Sequence, residues 1–170
     1  IGATRREDLV VTTSTRSIPF TREAVRKEIP AMFAHALKLR QVSAGGDASV
    51  EMELNATGNV NFDFGRYGVE FVASPRHADG VVVTGPVSRN MAEALQVCYD
   101  AVPDPKVLIV AGSEAVSGGL YAESTEVDRS VYESHTPDLW LPGAPTHPMI
   151  FIEAVMNLIG RDRREKKKKK

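Results

Sequence analysis

Short apolar runs alternate with amphipathic stretches along this 170-residue chain. Four runs read as strands: "LKLRQVS" (37–43), "ADGVVVTG" (78–85), "KVLIVAG" (106–112) and "DLWLPG" (138–143). Each is a short, largely apolar run bounded by turn residues. "RYGVEFVAS" (66–74) reads as a further strand, with "PRH" (75–77) between it and the next. In "SRNMAEALQVCYDAV" (88–102), Met91, Leu95, Cys98 and Val102 repeat at helical spacing. Ser88 is a good N-cap for that helix, and "VPDP" stops it. Thr146 is expected to cap a last helix, with Pro148 near its first turn, running through "MIFIEAVMNLIG". "TREAVRKEIPAMFAHALKLRQ" (21–41) predicts a helix in two parts, because Pro30 lacks an amide proton. "VEMELNA" (50–56) stays open: it alternates like a strand, yet Val50, Leu54 and Thr57 also fit one helical face. Residues 1–20 read as an extended polar arm.

Strands alternating with amphipathic helices predict an α/β domain, a mainly parallel sheet covered by helices on both faces. Ligands in such folds sit beyond the carboxyl ends of the strands. Three loops fall there: residues 43–49, 112–119 and 142–147. The pattern holds no internal repeat and no long linker, so it predicts one domain.

Composition narrows the function classes. No apolar run reaches the roughly 18 residues of a membrane span. The start, "IGATRREDLVVTTSTRS", has no apolar signal-peptide core, so a soluble or peripheral cytoplasmic protein is expected. The formal net charge of −1 hides an asymmetry. Residues 161–170, "RDRREKKKKK", hold eight basic and two acidic side chains, a run expected to be disordered. No other basic face suits nucleic acid. The single cysteine, Cys98, cannot form an internal disulfide, and it is expected to be a buried core thiol.

The usual catalytic motifs are missing. No Gly-Lys-Ser/Thr follows the glycine-rich stretches, and their spacing is not that of a dinucleotide turn. No serine sits in a nucleophile-elbow sequence. His35, His77, His135 and His147 are scattered, without metal-ligand spacing. "AGSEAVSGG" (111–119) is built like a ligand cradle, and its only reactive side chain is Glu114.

The stretch "RYGVEFVASPRHADGVVVTGPVSRNM" (66–91) adds much more. With "DAVPDPKVLIVAG" and "LPGAPTHP" it resembles the 20-kDa subunit family of respiratory complex I and the small subunits of membrane-bound nickel–iron hydrogenases. The resemblance runs from about Leu39 to Ile159. "SPRHAD" with "VTGPVSRNM" looks closer to the energy-converting, formate hydrogenlyase-type branch. It implies a three-layer αβα, flavodoxin-like domain over residues 39–160, an N-terminal arm and helix over 1–38, and a basic tail over 161–170.

The family subunit carries one 4Fe–4S cluster on four thiolates. The resemblance puts the first two ligands at Asp47 and Val50 in "GGDASVEME", the third at Glu114 and the fourth at Ala144. None of these is a cysteine. Iron–sulfur clusters need soft thiolate sulfur; carboxylate oxygens suit harder ions. No cofactor is therefore expected. A hard-cation site of Asp47, Glu114 and His147 is the alternative occupant.

The resemblance places "SPRHAD" near a large catalytic subunit. Arg66, Pro75, Arg76, His77 and His147 are the interface candidates, and a local packing role for them stays open. The expected function is a cluster-less structural subunit of a membrane-associated complex. Its expected partners are a large-subunit homologue, a ferredoxin-like subunit and a membrane arm. It would lie on the cytoplasmic face of the membrane, without catalysis of its own. Two alternatives stay open: an electron-transfer subunit whose cysteines were altered by design, and a stand-alone metal-binding domain reusing the fold.

Overall fold

A computed structural model of the chain describes residues 2–10, 20–21 and 25–161. Half of the expected arm (1 and 11–19), residues 22–24 of the expected two-part helix and the basic run from 162 onward lie outside the described residues.

Five strands form one parallel sheet: β1 (Leu37–Ser43), β2 (Val69–Phe71), β3 (Gly80–Thr84), β4 (Val107–Ala111) and β5 (Leu139–Leu141). Their spatial order is β2-β1-β3-β4-β5, with every neighbouring pair parallel. The helices are α1 (Glu28–Phe33), α2 (Ser49–Ala56), α3 (Arg89–Asp100), α4 (Ser113–Ser117), α5 (Ser130–Ser134) and α6 (Pro148–Leu158).

The strands are apolar throughout because both sheet faces are covered. Along β4, Val107, Ile109 and Ala111 point into one core, while Leu108 points into the other. β3 alternates likewise, Val82 against Val81 and Val83. The first core packs against α1, α2 and α6 through Ile29, Val50, Leu54, Phe151 and Val155. The second packs against α3 and α5 through Leu95, Tyr99 and Val131. This is a three-layer αβα, flavodoxin-like domain.

Several local expectations change. "VEMELNA" is helical, with Val50, Glu51 and Leu54 on the buried face. Pro30 does not divide a helix. It stands in the first turn of α1, where its missing N–H is not needed, while Val25–Lys27 are non-helical and the helix stops at Phe33. The strand in "RYGVEFVAS" shrinks to three residues, because Arg66 and Tyr67 belong to a 3-10 turn, Phe64–Tyr67. Ser88 holds the N-cap position of α3 without a capping side-chain bond. The cap of α6 is His147, not Thr146: the His147 Nδ1 accepts the Met149 N–H at 3.1 Å, and Thr146 Oγ1 donates instead to the Pro142 carbonyl at 3.1 Å. Cys98 is half-buried on α3, at the edge of the core; burial pushes its thiol pKa up, and nearby Arg40 opposes that.

The N-terminal residues are part of the domain. Ala3 bridges Trp140 of β5 in antiparallel fashion, with N···O distances of 2.8 and 2.7 Å. Arg26 secures the next segment by a two-pronged contact to Asp138, at 2.7 and 2.9 Å, and a further hydrogen bond to the Lys106 carbonyl. Among the described residues, no helix is long and apolar enough to cross a membrane.

Candidate functional site

All five strands point the same way, so their carboxyl ends share one edge. The three loops expected there do meet, and the turn after β3 joins them. Ala44 N–H donates to the Thr84 carbonyl and Ser88 N–H to the Ala44 carbonyl, at 2.9 and 2.8 Å. On the other side, Gly112 N–H reaches the Leu141 carbonyl at 2.9 Å and Ser113 N–H the Gly143 carbonyl at 2.7 Å. Ser113 Oγ returns the contact by accepting Gly143 N–H at 3.2 Å.

Glycine makes this closeness possible. Gly85 has φ +72, and a Cβ there would stand 2.3 Å from Gly46 N. Gly112 has φ +98, and its Cβ would stand 2.8 Å from Val50 Cγ2. The cradle is therefore filled at that point by the valine side chain.

The four positions implied by the resemblance lie on these loops, in different environments. Asp47 is exposed. Its Oδ1 accepts the Ser49 hydroxyl at 2.6 Å and the Ser49 N–H at 2.9 Å, which holds the carboxyl below its ordinary range. Val50 is buried in the first core. Glu114 is half-buried, and its Oε2 would be 3.3 Å from a Cβ at Gly46, so it leans from α4 toward the β1 loop. Ala144 is exposed beside Gly143.

This donor set does not fit a cubane cluster. It offers two carboxylates and two hydrocarbon side chains, and the chain's single cysteine lies on α3, on none of these loops. Among the described residues, no three His, Cys, Asp or Glu side chains are placed to share a metal, Asp47, Glu114 and His147 included.

A buried carboxylate was missed by sequence reasoning. Glu51, one residue after Val50, is 8% exposed and accepts the Thr84 hydroxyl at 2.6 Å. Once "VEMELNA" is known to be helical, residues 50, 51 and 54 share a face; that is the signal that was available.

The interface candidates divide. Arg66 is exposed, stacks 4.8 Å from the Tyr67 ring centroid and donates to its hydroxyl at 2.9 Å. His147 meets Phe62 edge-on, 5.9 Å between ring centroids. Arg66 and Phe62 line one cavity of about 280 Å³, with an apolar floor from Met149, Ile152 and Met156. Pro75, Arg76 and His77 form a separate 3-10 turn between β2 and β3, with Arg76 and His77 exposed. Exposed apolar side chains flank the cradle: Met52 on α2, Leu120 (95% exposed) and Tyr121 on the turn after α4.

Fold and site together define a flavodoxin-like domain with a glycine-lined cradle at its ligand edge and no soft ligands in it. Residues 48–158 match the profile of the family described as "NADH ubiquinone oxidoreductase, 20 Kd subunit". The chain belongs to that family. It is 38% identical over 113 residues to a subunit of the NADH-quinone oxidoreductase of Desulfovibrio desulfuricans, covering 66% of this chain and 61% of that one. It is 34% identical over 121 residues to the corresponding subunit from Geotalea daltonii, covering 69% and 71%. The chain thus spans about three fifths to seven tenths of the length of these relatives. Among solved structures it is similar to a chain of the membrane-bound sulfane sulfur reductase, an archaeal respiratory membrane complex, with TM-score 0.61, 24% identity and coverage of 76% and 70%. It is also similar to a chain of an NAD+-reducing [NiFe]-hydrogenase, with TM-score 0.55, 18% identity and coverage of 75% and 93%. These two likenesses show a shared fold.

Proposed function

We propose that this chain is a cluster-less structural subunit of a membrane-associated complex related to complex I and the energy-converting hydrogenases. It docks on a large-subunit homologue, beside a ferredoxin-like subunit and a membrane arm, as a peripheral protein on the cytoplasmic face. The observation that carries this reading is the cradle itself. Its backbone is kept close by hydrogen bonds, while Val50 packs where Gly112 leaves room and no loop residue supplies a thiolate. A chain of this kind has no iron–sulfur relay of its own, so its contribution is shape and contact.

The docking face is the carboxyl edge of the sheet with the neighbouring cavity. Met52, Leu120, Tyr121 and Met149 expose apolar surface around it, as interaction sites do. Arg66 and His147 sit on its rim side.

The test is co-expression with a tagged large-subunit homologue from the same genome. The reading expects a stoichiometric complex that a double Leu120→Asp, Met149→Asp change dissociates while each protein stays folded. A chain that stays monomeric beside its partner, or a complex unmoved by that change, contradicts the proposed face.

A further inference from the structure

The proposed function leaves the basic run unused. Residues 161–170 hold eight basic and two acidic side chains, a net of +6, which leaves −7 on the rest of a chain whose total is −1. Arg161, the first residue of the run, is firmly placed. Its N–H donates to the Met156 carbonyl at 2.8 Å, and Gly160 N–H to the Asn157 carbonyl at 3.1 Å, which closes α6. The Arg161 guanidinium donates to the Tyr67 carbonyl. The run therefore leaves from the far end of α6, about 16 Å along the helix from its first turn beside the cradle loops.

Cations, an aromatic ring and exposed apolar surface meet near that end. Arg66 and Arg161 line the cavity along α6, against one carboxylate, Glu153. Tyr67 meets both arginines, its ring and hydroxyl through Arg66 and its carbonyl through Arg161. Val60, on the loop between α2 and the 3-10 turn, is 95% exposed. Asp63 of the same loop lines a different cavity, beside β2. Such a combination is what peripheral proteins present to a lipid headgroup layer. A basic cluster is drawn to an anionic membrane by about 1 kcal/mol for each Lys or Arg near the surface. Nucleic acid asks for a basic face on the domain itself, and this body carries −7.

We infer that the basic run and the Val60–Arg66 loop form a contact for an anionic lipid surface, with the cradle edge left to a protein partner. This deepens the reading of a membrane-associated subunit and rests on it for the choice of lipid over other polyanions.

The full chain is sedimented with vesicles of phosphatidylcholine alone and of phosphatidylcholine mixed with phosphatidylglycerol. Binding to the mixed vesicles only, weakening as sodium chloride rises, is expected. Changing Lys166, Lys167, Lys168, Lys169 and Lys170 together to Gln weakens it more than about a hundredfold, at roughly fivefold per lysine. Val60→Asp weakens it about fivefold or more without moving the melting temperature, because the position is exposed. Val60→Ser repeats that arm should the aspartate variant melt lower. Equal binding to both vesicle types, or to neither, overturns the inference. So does binding that survives the lysine change or the Val60 change undiminished. Capture by duplex DNA or polyglutamate but not by the mixed vesicles overturns it too, and assigns the run to another polyanion. No partner protein enters this test, so its failure leaves the large-subunit complex to be judged by co-expression alone.

Discussion

Glu51 and Thr84 show how much one buried pair matters at the ligand edge. Thr84 is fully buried, and its hydroxyl is the donor that a nearly buried carboxylate has at 2.6 Å. Removing one partner leaves the other desolvated and unsatisfied. Thr84→Val is expected to cost roughly 1–3 kcal/mol in chemical denaturation. Glu51→Gln, which can still accept, should cost less; equal losses would argue against the hydrogen bond as the cause. Asp47 gives a pH prediction. The Ser49 contacts depress its folded pKa, so the stability it contributes is present above the unfolded pKa and lost as pH falls through the folded one. Ser49→Ala should raise the Asp47 titration midpoint followed by NMR and weaken the acid-side loss. An unmoved midpoint would sink that account. The positions of Asp47, Val50, Glu114 and Ala144 could be named from sequence, but their surroundings could not. Exposure of Asp47 against burial of Val50 depends on which way α2 turns, and no spacing in the loop encodes that.

Elements were legible where one period dominated. "LKLRQVS" is β1 from its first residue to its last, and the strands within "VVVT" and "VLIVA" were plain, because strands buried on both faces read as continuous apolar runs. "VEMELNA" was not, since seven residues satisfy either period; packing of Val50 and Leu54 into the core shared with α6 decides for the helix. The cap of α6 was misplaced by one residue because Thr and His can both accept from a helix amide, and Thr146 is used by Pro142 instead. The ties of the residues before β1 to the sheet were invisible, as the partners, Ala3 with Trp140 and Arg26 with Asp138, are far apart in sequence. Asp138 also accepts the Leu108 N–H at 2.9 Å, and its side chain is 7% exposed against 46% for Arg26. Asp138→Ala is therefore expected to cost about 2 kcal/mol or more, and Arg26→Ala about 1 kcal/mol. The reverse order, measured by urea unfolding, would contradict this placement. Gly85→Ala tests the closeness of the loops. At φ +72, with Gly46 N in the way, it should destabilise by more than about 1 kcal/mol.

At the scale of the whole molecule, the parallel order β2-β1-β3-β4-β5 puts every strand's carboxyl end at one edge. The family resemblance and the fold were both readable from the chain, since "RYGVEFVASPRHADGVVVTGPVSRNM" and the strand pattern carry them. The filling of the cradle was not, because it depends on Val50 meeting Gly112 from a different loop. The central claim is that this relative keeps the family's scaffold without its cluster. Iron and acid-labile sulfide analysis of the chain, purified with its partner under anaerobic conditions after an attempt at cluster reconstitution, tests that claim most directly. The account predicts no stoichiometric iron or sulfide bound to this chain and no reducible paramagnetic signal that depends on it. About four irons and four sulfides per chain, the stoichiometry of a 4Fe–4S cluster, with a signal lost when this chain is left out, would contradict it.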